Sequence, residues 1–271
     1  MSGMRIPTVS LRGLEVTRLI IGGNPFSGFS HQSRARSAEM AAWYTDERIV
    51  ETLFQAQSLG LYACVCRGDQ HMVRVLKRYW DEGGTMKWIA QTASEAETPA
   101  IAAAFCLDNG ASACYLHGGL VDDYIANEQY GEIHAFADTV RTSGVPVGIA
   151  GHTPIDFVWA EQNLDLDFYM VSHYNPSPRT HARHHDPAIA ECYLLADRED
   201  RVATIHQLGR PVIHYKILAA GRHDPGEAFA YTARHMRPED AVCVGIFAKD
   251  NPNMLGEDVD LLLESLRAVG Q

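Results

Sequence analysis

The chain predicts an α/β fold: a (β/α)8 TIM barrel with a short N-terminal hairpin. Three observations carry this. Short apolar runs alternate with amphipathic stretches eight times over, the signature of a barrel. The runs are mostly continuous, as in Val145-Pro-Val-Gly-Ile-Ala150, which suits strands buried on both faces of a parallel sheet. No Gly-x-Gly-x-x-Gly follows the first strand, as a doubly wound dinucleotide-binding sheet would require. A length of 271 residues fits one such barrel, and no linker-like or low-complexity tract divides it, so residues 1–271 read as one domain.

Element by element, residues 9–18 form a hairpin with its turn at Arg12-Gly13. The apolar run Leu19-Ile-Ile ends at glycines as the first barrel strand. Seven further strands are expected at 61–65, 86–90, 113–116, 145–150, 167–171, 211–215 and 241–246. Helices are expected at 47–59, 70–80, 99–109, 130–142, 154–162, 187–208, 225–234 and 258–268. Several start at a proline after Asp or Thr, as in Thr153-Pro154 and Asp186-Pro187, a helix-start signal. Residues 28–46 and 175–186 are long connections after strands. In a barrel such connections shape the face that carries the active site.

Composition narrows the function. With 23 Lys+Arg against 34 Asp+Glu, the net charge is −11, which argues against nucleic acid as a partner. No apolar stretch approaches the roughly 20 residues of a membrane span, and no export signal is visible, so a cytoplasmic location and no membrane partner are expected. The six cysteines are scattered, mostly in apolar runs, and read as buried free thiols. Oligomeric state is not set by any of this. The partner implied is a small-molecule substrate.

The residues that end the strands are the most informative. Histidines end three consecutive ones: His117, His152 and His173. Neighbouring strands lie about 4.8 Å apart, so three imidazoles there could converge on a divalent metal such as Zn, Mn or Fe. They could equally be separate polar residues of a rim. Lys216 ends the run Val212-Ile-His-Tyr-Lys; partial desolvation there would make it a usable base or Schiff-base nucleophile, or a structural ion-pair partner. Asp69 is a candidate carboxylate for Lys216, or a cap for the helix beginning near Gln70. His117, Lys216, His173 and Asp69 are thus the catalytic candidates. Asn24, Phe26, Gln91, Tyr174 and Tyr215 are the substrate-binding ones. The loop 179–186 adds three histidines, read either as solvated or as a lid. Trp43, Tyr44 and Trp159 read as packing residues, and Phe29 as a second wall residue beside Phe26.

Several segments, in this order, resemble the aldo-keto reductase superfamily over nearly the whole chain. They are Arg18-Leu-Ile-Ile-Gly-Gly-Asn-Pro-Phe, Thr52-Leu-Phe-Gln-Ala-Gln-Ser-Leu-Gly-Leu, Tyr115-Leu-His117, Phe168-Tyr-Met-Val-Ser-His-Tyr-Asn-Pro176, Ile213-His-Tyr-Lys-Ile-Leu-Ala-Ala-Gly221 and Gly256-Glu-Asp-Val-Asp-Leu-Leu. The resemblance implies a barrel that reduces carbonyls with NADPH through an Asp, a Tyr, a Lys and a His. Only the histidine has a match, His117. The aspartate position falls at Val65 and the lysine at Gln91, and the tyrosine is lost from the short loop 67–71. The nucleotide's Ser-Asn pair falls at Gly151-His152 and its Gln near Val171. Its basic group is reduced to Lys249, followed by Asp250 and Asn251. Tyr215 alone keeps the nicotinamide-stacking position.

The expectation is therefore an enzyme on this barrel that has left NADPH behind: an isomerase, epimerase or lyase doing acid/base chemistry on a small polar carbonyl or sugar-like substrate, with or without a metal on His117, His152 and His173. The alternatives are an NADPH-dependent reductase whose proton donor is Tyr174 or His117, and a non-catalytic ligand-binding barrel.

Overall fold

The structure, a computed structural model, describes residues 5–176 and 191–271. Strands β1 (Thr8–Leu11) and β2 (Leu14–Thr17) pair antiparallel, Thr8 opposite Thr17. Arg12 and Gly13 both take positive φ, 47° and 88°, the geometry of a tight two-residue hairpin turn. Then β3 (Leu19–Gly22), β4 (Ala63–Gly68), β5 (Lys87–Thr92), β6 (Ala113–Leu116), β7 (Val147–Gly151), β8 (Phe168–Ser172), β9 (Val212–Tyr215) and β10 (Ala241–Gly245) close into a parallel barrel, β10 pairing back onto β3.

Helices follow the strands: α1 (Arg34–Trp43) and α2 (Asp46–Ser58) after β3, α3 (Gln70–Asp81), α4 (Pro99–Asp108), α5 (Gly118–Ala126) and α6 (Tyr130–Ser143) after β6, α7 (Pro154–Asn163), α8 (Leu195–Ile205), α9 (Pro225–His235) and α10 (Met254–Ala268). Two of these were not expected. α1 lies in the stretch predicted as a connection, where Ser33 accepts from the Arg36 amide as its cap. α5 starts directly at His117-Gly-Gly, where two glycines weaken any helix signal.

The apolar residues sort into two groups by alternation along each strand. One lines the barrel's interior: Ile20, Ala63 and Val65, Ile89, Ala113 and Tyr115, Ala150, Phe168 and Met170, Ile213, Ala241 and Cys243. The hairpin's Val9, Leu11 and Val16 join that group and plug one end. The other group, with Leu19, Ile21, Cys64, Trp88, Leu116, Ile149, Val171 and Val212, packs the outer wall against the helices. Because successive side chains point to opposite faces, this parity fixes which strand-end residue enters the mouth.

Five cysteines are buried free thiols, and Cys192 is exposed. Trp43 and Tyr44 pack edge-on, with ring centroids 4.6 Å apart, and Trp159 stacks on Tyr130, as packing residues would.

Candidate active site

Counting two residues on from the last interior positions brings Arg67, Gln91, His117, His152, Ser172 and Tyr215 to the open end of the barrel. His152 is the centre. Its ring Nδ1 lies 2.8 Å from Asp122 Oδ2, and both residues are buried. An ionised carboxylate only accepts, so Nδ1 carries the proton and Nε2 presents a lone pair. Two groups face that lone pair, Tyr215 Oη at 3.2 Å and Lys216 Nζ at 3.2 Å. A base oriented by a carboxylate and facing an amine and a phenol is the arrangement that activates a nucleophile or moves a proton.

The local fold explains the placement. Asp122 sits on α5, which packs against β7. A Cβ at Gly118 would stand 3.0 Å from His152 Cε1 and 3.3 Å from the Gly151 amide, tighter than most such contacts, so glycine eases the close approach of α5. Lys216 takes φ 59°, a left-handed conformation that costs an ordinary residue about 1–2 kcal/mol. Ala219 and Ala220 in the same loop also have positive φ.

Across the mouth, Glu191 Oε1 meets His31 Nδ1 at 2.9 Å and Glu191 Oε2 accepts from Tyr193 Oη at 2.7 Å. Burial would raise the Glu191 pKa. The His31 and Tyr193 hydrogen bonds and the Lys216 charge outweigh it and hold it at about 2. Glu191 is therefore a fixed negative charge beside the amine.

Other sequence candidates land elsewhere. His173 does not enter the mouth. Ser172 takes the inward parity, so His173 points outward, wholly buried, with Nε2 2.9 Å from His214 Nδ1 and its ring against Tyr231. His117 faces the mouth, but its Nδ1 accepts the Gly119 N–H at 3.1 Å as the cap of α5. That places the ring proton on Nε2 and makes it a donor, unlike a metal-binding nitrogen. The proposed trio thus does not fit a metal, and among the described residues no group of three or more His, Cys, Asp or Glu could hold one.

Asp69 caps α3 through the Met72 amide at 2.9 Å and pairs with Arg67 Nε at 3.0 Å. Asp122, not Asp69, backs the base. Phe26 is a core residue, edge-on to Tyr44 at 4.9 Å, while Phe29 is 44% exposed beneath the Arg67 guanidinium. Tyr174 is buried between Tyr193 and His223, so it is neither a wall nor a proton donor. Gln91 is half-buried at the mouth and bonds Tyr115, and Asn24 is exposed, 3.4 Å from His31 Nε2. The loop 179–186 lies outside the described residues.

Asp122, Asp156, Glu191, His31 and the His214–Asp240 pair were missed. An aspartate one turn into a helix after His-Gly-Gly is the signal that could have found Asp122. Asp156 stands three residues after Thr153, the capping-box spacing, and the others carry no local signal.

No family model matches the chain, and no curated protein matches it. Solved structures do. A putative aldo-keto reductase from Pseudomonas aeruginosa is 16% identical, over 97% of this chain and 95% of that one, with a TM-score of 0.63. At these identities the likeness shows the fold, a closed (β/α)8 barrel. A truncated 3-deoxy-D-arabino-heptulosonate 7-phosphate synthase from Thermotoga maritima is also similar, at 10% identity over 98% of this chain and 94% of that one, with a TM-score of 0.56. The same backbone arrangement therefore carries a putative reductase and a synthase, and fold does not choose between them.

Proposed function

We propose that the chain is an enzyme that moves protons beside the carbonyl of a small polar, sugar-like substrate, as an isomerase, epimerase or lyase. One observation carries the reading: His152 Nε2, its tautomer set by Asp122, faces both Lys216 Nζ and Tyr215 Oη at 3.2 Å. His152 is the base that removes the proton from the carbon next to the carbonyl. Lys216, with Glu191 balancing its charge, and Tyr215 stand where they can hydrogen-bond the carbonyl oxygen as negative charge develops on it. Returning the proton to the other face or the other carbon gives an epimer or isomer. Expelling a group from the adjacent carbon gives a lyase.

No step is routed through a metal or a dinucleotide. The basic positions that would meet a 2′-phosphate are already engaged: Lys249 Nζ lies 2.7 Å from Glu39, and Arg36 pairs with Glu39 and Asp250. Arg36 also lies over the Phe247 ring. These pairings support a chain that does not use NADPH.

A second reading is a reductase with a rearranged donor, because a phenol beside an amine and an imidazole, as at Tyr215, is also a proton donor for carbonyl reduction. The two part in one experiment. A panel of keto and aldo sugars is incubated with the chain in D2O, with and without NADPH, and followed by proton NMR. Deuterium entering beside the carbonyl without NADPH is the expected result. Turnover only with NADPH would replace the first reading with the second.

A further inference from the structure

Behind His152 stand two carboxyl groups, and the mechanism above uses one. The backbone N–H of His152 points at both, 3.1 Å from Asp122 Oδ1 and 3.2 Å from Asp156 Oδ2. Both residues are nearly closed to water, Asp122 at 7% exposure and Asp156 at 1%. Two ionised carboxylates sharing one buried N–H repel strongly, and such a pair keeps a proton.

The hydrogen bonds say which one holds it. Asp122 accepts with both oxygens, Oδ1 from the His152 amide and Oδ2 from the imidazole. Asp156 accepts with Oδ2, from the His152 and Thr153 amides, the latter at 2.8 Å as the capping box of α7. Its Oδ1 is left to carry a proton toward Asp122. We infer that Asp156 is a positioning residue: it holds a proton donated to Asp122, so that one negative charge rather than two stands behind His152.

Burial, and then the Asp122 charge, raise Asp156 well above the usual carboxylate range, in keeping with this. The other charged groups around the pair are few. From α8, the buried guanidinium of Arg201 interacts electrostatically with both carboxyls, though more strongly with Asp197 and Asp200 of its own helix. From β7 comes His152 itself, with Lys216 and Tyr215 at the far side of its ring. Two negative charges would draw a proton onto His152. The resulting imidazolium would turn an Nε2–H toward the amine and the phenol and could accept from neither. One negative charge, offset by Arg201, leaves the ring neutral with its lone pair outward.

The role in turnover rests on the acid/base reading; the protonation of the pair does not. The test is a 15N NMR titration of His152 in the full chain, for wild type, Asp156→Asn and Asp122→Asn. An asparagine at 156 reproduces the neutral, donating group, so His152 should titrate as in wild type. Asparagine at 122 removes the charge, and the proton affinity of His152 should drop about tenfold or more, one pKa unit. Equal drops in both variants would mean that both carboxyls are ionised, and the reverse order would put the proton on Asp122; either overturns the inference. A purely structural Asp156 would not produce this asymmetry. Should Asp122→Asn fail to fold, infrared spectra of the Asp258→Asn background decide: at neutral pH it should show a protonated-carboxyl band that is lost on adding Asp156→Asn, and the absence of that band from the Asp258→Asn protein refutes the inference. None of these measurements reads turnover. A chain inactive on every carbonyl would therefore sink the proposed function and leave this inference standing.

Discussion

Two histidine–aspartate chains lie on the two sides of strand β9. On the inner side, Asp122 orients His152, which faces Tyr215 and Lys216 at the mouth. On the outer side, Asp240 Oδ2 stands 3.5 Å from His214 Nε2, whose Nδ1 meets His173 Nε2 at 2.9 Å. The parts are the same and the ends differ. The inner chain ends on a half-buried amine in an open mouth, and the outer one ends on an imidazole sealed against Tyr231 and Tyr174. Burial would raise Asp240, but hydrogen bonds from His214 and Arg237 hold it well below the usual carboxylate range. For His173, burial and then the His214, Arg198 and His235 charges hold the imidazole neutral. On the proposed reading, the inner pair does chemistry because its amine end lies half-buried at the mouth, and the outer pair, closed off, is a packed polar strut.

The largest test of this contrast is removal of the inner base. His152→Ala should lower kcat by about 10²–10⁴-fold, the usual contribution of a general base. Thermal unfolding should show the barrel intact. Activity within a few-fold of wild type would break the comparison at its active end.

Lys216→Met should also cost activity by orders of magnitude, and it separates two uses of the amine. Borohydride trapping with substrate, read by mass spectrometry, tags Lys216 if it forms an imine. It leaves the wild-type chain unmodified if the ammonium only polarises the carbonyl, the result expected here.

On the outer side, His173→Ala should leave kcat/KM nearly unchanged and cost about 1–3 kcal/mol of stability, the price of orphaning a buried hydrogen-bond partner. It should also alter the acid limb of stability. A base whose folded pKa lies below its unfolded value binds protons preferentially when unfolded. Wild-type stability should therefore fall as pH drops through the unfolded histidine value of about 6.5. Denaturant titrations between pH 7 and 5 should show a shallower fall in the variant.

The smallest expected effect on activity lies away from both chains. Burial, and then the Glu257 charge, raise the Asp258 pKa to about 7. An acid raised on folding costs stability as pH climbs from the unfolded carboxylate range toward 7, and the cost is complete above it. Asp258→Asn should stabilise the chain by up to about 4 kcal/mol at pH 8 and by little at pH 4. Equal gains at both pH values would contradict the assignment.

Legibility in the sequence differed between fold and site. Eight apolar runs with capped helices between them were readable because burial and capping are local signals: Val147–Gly151, Phe168–Ser172 and Ala241–Gly245 fall where continuous apolar runs predict. Of the candidate site, Lys216, Tyr215, His152 and Gln91 are legible as strand-end polar residues. His173 was misassigned by a single position. Strand ends are the least certain part of any such reading, and one residue turns a side chain from mouth to wall.

The sequence by itself determined the barrel, because eight-fold repetition of buried strand and amphipathic helix admits few closed arrangements. It also marked the strand ends as the candidate positions for chemistry, where polar residues interrupt apolar runs. Only the tertiary structure decided which of them meet. Asp122 reaches His152 from α5, thirty residues earlier in the chain, because Gly118 lets that helix settle onto β7. Glu191 reaches His31 across 160 residues. Such meetings depend on strand register and on how closely helices can approach. Both are set by packing in three dimensions, and neither leaves a pattern in the local run of residues.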